Sequence, residues 1–293
     1  MELAKVTALM KATTLEIAIL TGRIALYPSG LYPPGLYRSG LYRSVLGSER
    51  SDPEAGADAS EDPPAALPDG GGGGGRPVVL LHGFVDNRSV FLLLRRALAR
   101  HGRARVESFD YSPFTCDLRT AAEALGRRID AVRERTGRAE VDLVGHSLGG
   151  LIARYYVQRL GGDTRVRTLV MLGTPHEGTT VARLADAHPL VRQMRPGSEV
   201  LRELAAPAPG CRTRFVSFWS DLDQIMVPVE TARLAHPDLL VHNVRVSGIG
   251  HLALPVHPTV ATGVLEALDA GEAEAGEAEA GEGPAGEGTA SVA

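Results

Sequence analysis

From Arg76 to Asp269 the chain alternates short apolar runs with longer stretches in which apolar residues return every three or four positions. The short runs are "PVVLL" (77–81), "ARVESF" (104–109), "VDLVG" (141–145), "VRTLVML" (166–172), "TRFVSFW" (213–219) and "LLVHNVRV" (239–246). Runs of this length, rich in β-branched and aromatic residues, predict strands. The helical spacing between them predicts helices near 89–101, 118–135 and 148–160, two short ones near 181–187 and 198–205, and a closing one over 259–269. Strands apolar on both faces and separated by helices predict an α/β fold: a mostly parallel sheet of about six strands with helices on both faces.

Outside this body the pattern changes. At the N-terminus, Leu3, Val6, Met10, Thr13, Ile17, Leu20, Ile24 and Tyr27 draw one stripe down a helix. Glu16 and Arg23 interrupt it, so it falls short of the roughly 20 apolar residues of a membrane span. It also lacks the basic start, unbroken apolar centre and small-residue cleavage site of a secretory signal. Such a helix either lies on an interface or docks on the body. The repeats "LYPSG", "LYPPG", "LYRSG" and "LYRSV" (26–45) follow, with too much Pro and Gly for a regular helix. They read as a linker, or as spaced tyrosines resting on a membrane surface. Residues 46–75 end in a run of six glycines and predict a flexible tether. Residues 270–293 are repetitive, acidic and free of aromatics, which predicts a disordered tail. The expected organisation is therefore 1–45 amphipathic helix and repeat, 46–75 linker, 76–269 catalytic body and 270–293 tail.

Composition changes this picture little. A hydrophobic content of 44% in 293 residues suits an ordinary globular protein. The net charge of −4 owes much to the tail, which holds Glu272, Glu274, Glu277, Glu279, Glu282 and Glu287. Arg95, Arg96, Arg100, Arg103 and Arg105 fall along a helix and its exit. With no aromatic platform or groove-reading motif beside them they predict a solvated face, not a nucleic-acid track. Cys116 and Cys211 form no C-x-x-C pair, which argues against zinc or thioredoxin-like chemistry. Cys116 follows one strand and Cys211 precedes another, so they belong to opposite sheet edges about 20 Å apart. Bridged Cα atoms sit within about 7 Å, so two free thiols are expected.

The candidate chemistry centres on "VDLVGHSLGG" (141–150), a G-x-S-x-G pentapeptide with His146 beside Ser147. The pentapeptide alone is weak, but here it has the strand before it and the helix after it that the motif requires. Glycine at 145 and 149 then suits a turn too tight for side chains. The serine is thrown up at the C-terminal edge of the sheet, facing a helix N-terminus. A serine nucleophile needs a base, and the base an orienting acid. Both should lie past later strand ends. "TRFVSFW" runs into "SDLDQIMVP", and "LLVHNVRV" into "SGIGHLALP", so an aspartate and a histidine follow in the order Ser, Asp, His. His251 sits on a glycine-flanked loop; His257 is its rival but stands at a helix start beside Pro258, and His101, His188 and His236 read as surface or packing residues. Asp221 and Asp223 both fit the acid. The oxyanion donors would be the backbone N–H groups of Phe84, after Gly83, and of Leu148, the residue after the serine.

Taken together, "VVLLHGF", "VDLVGHSLGG", "LGTPHEG", "SDLDQIM" and "GIGHLALP" resemble the α/β-hydrolase-fold bacterial lipases, of actinomycete type and of the small, lid-poor type. The resemblance covers about Pro77 to Asp269. It implies a serine lipase or esterase that degrades lipid esters through a catalytic triad. In the small lipases the acid closes an S-x-x-D stretch, here Ser220 to Asp223, which favours Asp223 over Asp221; the histidine closes a G-x-G-H stretch, here Gly248 to His251. The segment 176–212 is longer than in the smallest lipases, implying a partial cap. "LALPVHPTV" lacks the aspartate of the calcium site in some larger relatives, so no metal is expected, and nothing calls for a cofactor. The expected function is carboxylic-ester hydrolysis of acylglycerols or similar esters by Ser147, Asp223 and His251. Other cofactor-free triad chemistry (acyl transfer, thioester cleavage, perhydrolysis) is the alternative, and a non-catalytic hydrolase-like binding protein the remoter one. A lipase works at an interface, so residues 1–45 are expected to contact a membrane surface and to hold the protein at the cell envelope or outside the cell.

Overall fold

In the computed structural model the described residues are 75–281, without 85, 87, 104, 112–116, 186 and 187; side chains are described except those of 183–185 and 273–281. The expected N-terminal helix, tyrosine repeat and tether, and Cys116, lie outside the described residues. Cys211 is a free thiol.

The strands are β1 (Val78–Leu81), β2 (Val106–Phe109), β3 (Val141–His146), β4 (Val166–Leu172), β5 (Arg214–Ser220) and β6 (Leu240–Val246). They form one six-stranded sheet in the order β2-β1-β3-β4-β5-β6. Every neighbouring pair is parallel, with Leu80 opposite Val144 and Val144 opposite Val170 in the centre. β1 and β3 are buried throughout, as a sheet covered on both faces demands. The edge strand β6 alternates towards exposure.

The helices are α1 (Leu92–Arg100), α2 (Leu118–Thr136), α3 (Leu148–Arg159), α4 (Pro189–Gln193), α5 (Glu199–Ala205) and α6 (Pro258–Gly281). Successive strand residues point to opposite faces. One face presents Leu81, Leu143, Leu169, Met171 and Phe215 to a core shared with Leu125, Ile129 and Val132 of α2, Leu151 and Ile152 of α3, and Leu201 and Leu204 of α5. On the other face α6 packs on β4 and β5 and α1 packs against α6, burying Leu94, Leu98, Val260, Val264 and Leu268. Truncating a fully buried leucine such as Leu143 to alanine would cost about 2–5 kcal/mol. Capping fixes both ends of α2: the Asp117 side chain accepts from Thr120 N at 2.8 Å, and Gly137 ends the helix at φ 64°.

The segment 176–212 differs from its expected form. Near 181–187 there is a 3-10 turn, Thr180–Ala185, and α4 follows where no helix is expected. Five residues carry too little periodicity to read, but His188 caps α4 through its side chain and Pro189 begins it. The segment is tied to the body. Leu118 N donates to Gln193 Oε1 at 2.9 Å, Tyr155 Oη to Glu203 Oε2 at 2.7 Å, and Arg154 to the Leu204 carbonyl at 3.0 Å.

Two expectations fail at the opposite end of the sheet. Arg103 is not on a solvated face: it is 4% exposed and bonds Asp142 at 3.2 Å, Asp269 at 3.0 Å and Glu272 at 3.2 Å. The closing helix does not end at Asp269, and order does not stop at 270, because α6 runs on to Gly281. Ala and Glu are strong helix formers, and Glu272 anchors the extension by accepting from Arg76 N at 3.1 Å as well as from Arg103.

Candidate active site

All the candidate groups follow C-terminal strand ends on one edge of the sheet. Phe84 follows β1, Ser147 follows β3, Asp223 follows β5 and His251 follows β6. The strand order changes direction between β1 and β3, where open α/β sheets leave a crevice.

Ser147 has φ 53° and ψ −119°, and no other described residue but glycine has positive φ. Such a conformation costs about 1–3 kcal/mol and persists only where its surroundings impose it. Here they do. Ser147 N donates to the Leu172 carbonyl at 2.9 Å, and the next strand end holds the turn. A side chain at Gly149 would lie 2.5 Å from the carbonyl oxygens of Leu81 and His82, and one at Gly145 would lie 2.6 Å from the backbone of Gly150. The pentapeptide glycines are therefore the condition for β1 and α3 to close on the turn.

His251 is buried, and its Nδ1 lies 2.7 Å from Asp223 Oδ2. The other carboxylate oxygen of Asp223 accepts from Ile225 N and Met226 N, each at 2.9 Å. Burial alone would raise this carboxyl, but the charge and hydrogen bond of His251 and the two amides outweigh it and hold Asp223 below the ordinary carboxylate range. An ionised Asp223 accepts from Nδ1–H, which turns Nε2 into the proton acceptor. Asp221, the sequence alternative, points elsewhere: it accepts from Gly248 N at 3.1 Å and pairs with Arg245 at 2.9 Å, gripping the loop that carries His251. His257 caps the start of α6, accepting from Thr259 N at 3.3 Å.

Leu148 is the first residue of α3, so its N–H has no acceptor within the helix. Phe84 lies in the turn after β1, its ring edge-on to His188 with centroids 4.8 Å apart. The root of that turn is fixed by Tyr111, which donates its hydroxyl to the His82 carbonyl at 2.7 Å and stacks on the His82 ring at 4.5 Å.

Several buried groups in this region are not marked by the sequence reading. His146 faces Asp86 and the loop of His251, and Thr174 reaches the Ser147 carbonyl. His176 of "GTPHEG" sits in a chain: Arg154 donates to its Nδ1 at 3.2 Å, its Nε2–H donates to Ser217 Oγ at 3.0 Å, and Ser217 donates to the Ala232 carbonyl at 2.9 Å. Burial, with Arg154 adding to it, keeps the His176 imidazole neutral by pushing its pKa well below the usual value. Their sequence signals are a place at or just past a strand end and, for Thr174 and His176, the "LGTPHEG" stretch; their partners are remote in the chain. A surface cleft lined by Asp130, Arg133, Gly137 and Arg165 belongs to the other edge of the sheet, and its Arg133 and Arg165 side chains already bond Asp130 and main-chain carbonyls.

A six-stranded parallel sheet with a strained serine between β3 and α3 and a histidine–aspartate pair beyond the later strands is the architecture of the α/β-hydrolase fold, and the family model described by that fold matches residues 76–201. Among individual proteins, the chain is 30% identical over 136 residues to a triacylglycerol lipase of Burkholderia plantarii, covering 44% of this chain and 37% of that one. It is 32% identical over 114 residues to a triacylglycerol lipase of Pseudarthrobacter phenanthrenivorans, covering 36% and 35%. The matches thus span little more than a third of those relatives' length. The mature form of a Bacillus licheniformis lipase superimposes with a TM-score of 0.54 at 18% identity, covering 66% of this chain and 90% of the other.

Proposed function

We propose that this chain is a serine carboxylic-ester hydrolase, a lipase or esterase that cleaves acylglycerols or similar lipid esters. The observation that carries the reading is the buried 2.7 Å contact between His251 Nδ1 and Asp223 Oδ2 on the sheet edge that also bears Ser147. In this reading Ser147 Oγ attacks the ester carbonyl while His251 Nε2 takes its proton. The tetrahedral oxyanion is held by the N–H groups of Phe84 and Leu148. Collapse passes the proton from His251 to the leaving alcohol and leaves an acyl-serine. Water, deprotonated by the same imidazole, then releases the acid and restores Ser147. Asp223 keeps the imidazole in the Nδ1–H tautomer and offsets the charge it gains. The lipase relatives and the apolar side chains of Ile225 and Val227, exposed just after Asp223, support a lipid substrate.

The test is a series of nitrophenyl esters of rising chain length, with an organophosphonate to label the nucleophile. Hydrolysis that favours acyl chains of eight or more carbons, is abolished by Ser147→Ala and is blocked by label on Ser147 is the expected result. Near-normal turnover in Ser147→Ala would reject the assignment.

A further inference from the structure

The turn after β1 and the loop after β6 come from opposite sides of Ser147, and one buried side chain touches both. His146, 1% exposed, has Nδ1 3.0 Å from Asp86 Oδ2 in the turn that also holds Phe84. Its Nε2 lies 3.2 Å from the main-chain carbonyl oxygen of His251, and the two imidazole rings are 4.8 Å apart. The Asp86 side chain is likewise 1% exposed. Gly83 leaves room for the contact: a side chain there would lie 3.0 Å from Asp86 Oδ2 and 3.1 Å from His146 Nδ1.

The chemistry of the two contacts restricts the pair. A carbonyl oxygen only accepts, so Nε2 carries a proton. An ionised Asp86 also only accepts, so Nδ1 then carries one too, and the imidazolium neutralises the carboxylate. A neutral imidazole makes both contacts only if Asp86 keeps its own proton. Either way the pair holds two protons between ring nitrogens and carboxyl and has no net charge, which suits its burial.

We infer that Asp86 and His146 are positioning residues, a second histidine–carboxylate pair that locks the Phe84 turn and the His251 loop at one spacing across Ser147. The inference rests on the ester-hydrolase reading of Ser147. On that reading the pair keeps the oxyanion donor of the turn in register with the base: the ring anchors the loop through its main-chain carbonyl, and the carboxyl anchors the turn. Misplacing a reacting group by about 1 Å costs on the order of 10²-fold in rate.

The substitutions that separate geometry from charge are Asp86→Asn and Asp86→Ala. An asparagine amide donates to an unprotonated Nδ1 and leaves Nε2–H for the His251 carbonyl, so it keeps both links with one proton fewer. With a short, soluble nitrophenyl ester and sites counted by phosphonate labelling, Asp86→Ala and His146→Ala are expected to lose on the order of 10²-fold in kcat with KM unchanged. Asp86→Asn should stay within about tenfold of the parent, the difference between a charged and a neutral hydrogen bond. Parental kcat per labelled site in Asp86→Ala, or Asp86→Asn as poor as Asp86→Ala, overturns the inference while ester hydrolysis by the parent stands. A raised KM with parental kcat overturns it too, because the pair would then shape the pocket. If His146→Ala does not fold, the two Asp86 variants decide alone. A parent that cleaves no ester and takes no label removes both readings.

Discussion

Thr174 donates its hydroxyl to the main-chain carbonyl of Ser147 at 3.2 Å, so the end of β4 holds the strained residue from below. A Cβ on Gly150 would collide with that hydroxyl oxygen and lie 3.0 Å from Thr174 Cβ. The two positions are therefore coupled. Thr174→Val should cost about 1 kcal/mol, because the Ser147 carbonyl still accepts from Gly150 N at 3.0 Å. Gly150→Ala should cost about 1–3 kcal/mol by overpacking. Adding Thr174→Ala to Gly150→Ala should recover part of that loss, which a double-mutant cycle by urea unfolding measures. Strict additivity would show that the two sites do not meet.

Asp142 and Asp223 are both buried and should bend the pH dependence of stability in opposite directions. Burial raises the Asp142 carboxyl to about 6, with Arg76 and Arg103 pulling the other way. A carboxyl raised on folding binds its proton more tightly in the native state. Relative to Asp142→Asn, the parent should gain stability as pH falls from about 6 towards 3.8 and hold no such gain above that range. The Asp223 carboxyl is depressed instead, so its contribution is present above its ordinary value of 3.8 and is lost as pH falls below it. Melting temperatures of the parent and each asparagine variant across this range are the measurement, and equal slopes for the two sites would contradict the assignment of either. Catalytically the two should also part. Asp223→Asn should lower kcat by about 10⁴-fold through the wrong tautomer, whereas Asp142 touches nothing in the site.

Ile225 and Val227 are 37% and 41% exposed immediately beyond Asp223. An apolar side chain kept in water beside the proposed nucleophile and its base suits an apolar substrate, and each is worth about 1–2 kcal/mol when covered. The double substitution Ile225→Ser, Val227→Ser should leave hydrolysis of a short soluble ester unchanged and lower the rate on an emulsified long-chain ester about tenfold or more. Equal effects on both substrates would mean that these side chains do not meet acyl chains.

No described helix is long and apolar enough to cross a membrane; we propose that the apolar stripe and the tyrosines of residues 1–45 contact lipid. Deleting 1–45 should abolish binding to anionic vesicles and leave the melting temperature unchanged. A lowered melting temperature, with no vesicle binding to lose, would instead mean that the stripe docks on the hydrolase body.

Much of the fold is written locally. The six strands and the helices around 92–100, 118–136 and 148–159 are legible because burial on both faces leaves unbroken apolar runs, and one-sided burial leaves a helical stripe. The serine turn is legible for a similar reason: its glycines, its preceding strand and its following helix are consecutive in the chain. Helix α4 escapes because five residues hold little more than one turn of the pattern. The extension of α6 escapes because a repetitive acidic composition describes a free tail as well as a helix held by Glu272.

What sequence order alone leaves open is settled by which residues the sheet brings face to face. Asp221 and Asp223 stand two apart past one strand end; the turn sends the first to Gly248 and Arg245 and the second to His251. Arg103 belongs by sequence to a basic cluster, yet three acidic side chains from β3 and α6 surround it once the layers stack. His146 stands beside the serine in the chain, but its partners are 60 and 105 residues away. Each of these pairings depends on loops from separate strands converging at a common edge, and hydrogen bonds of a few ångströms follow from that register, which periodicity along a single segment does not encode.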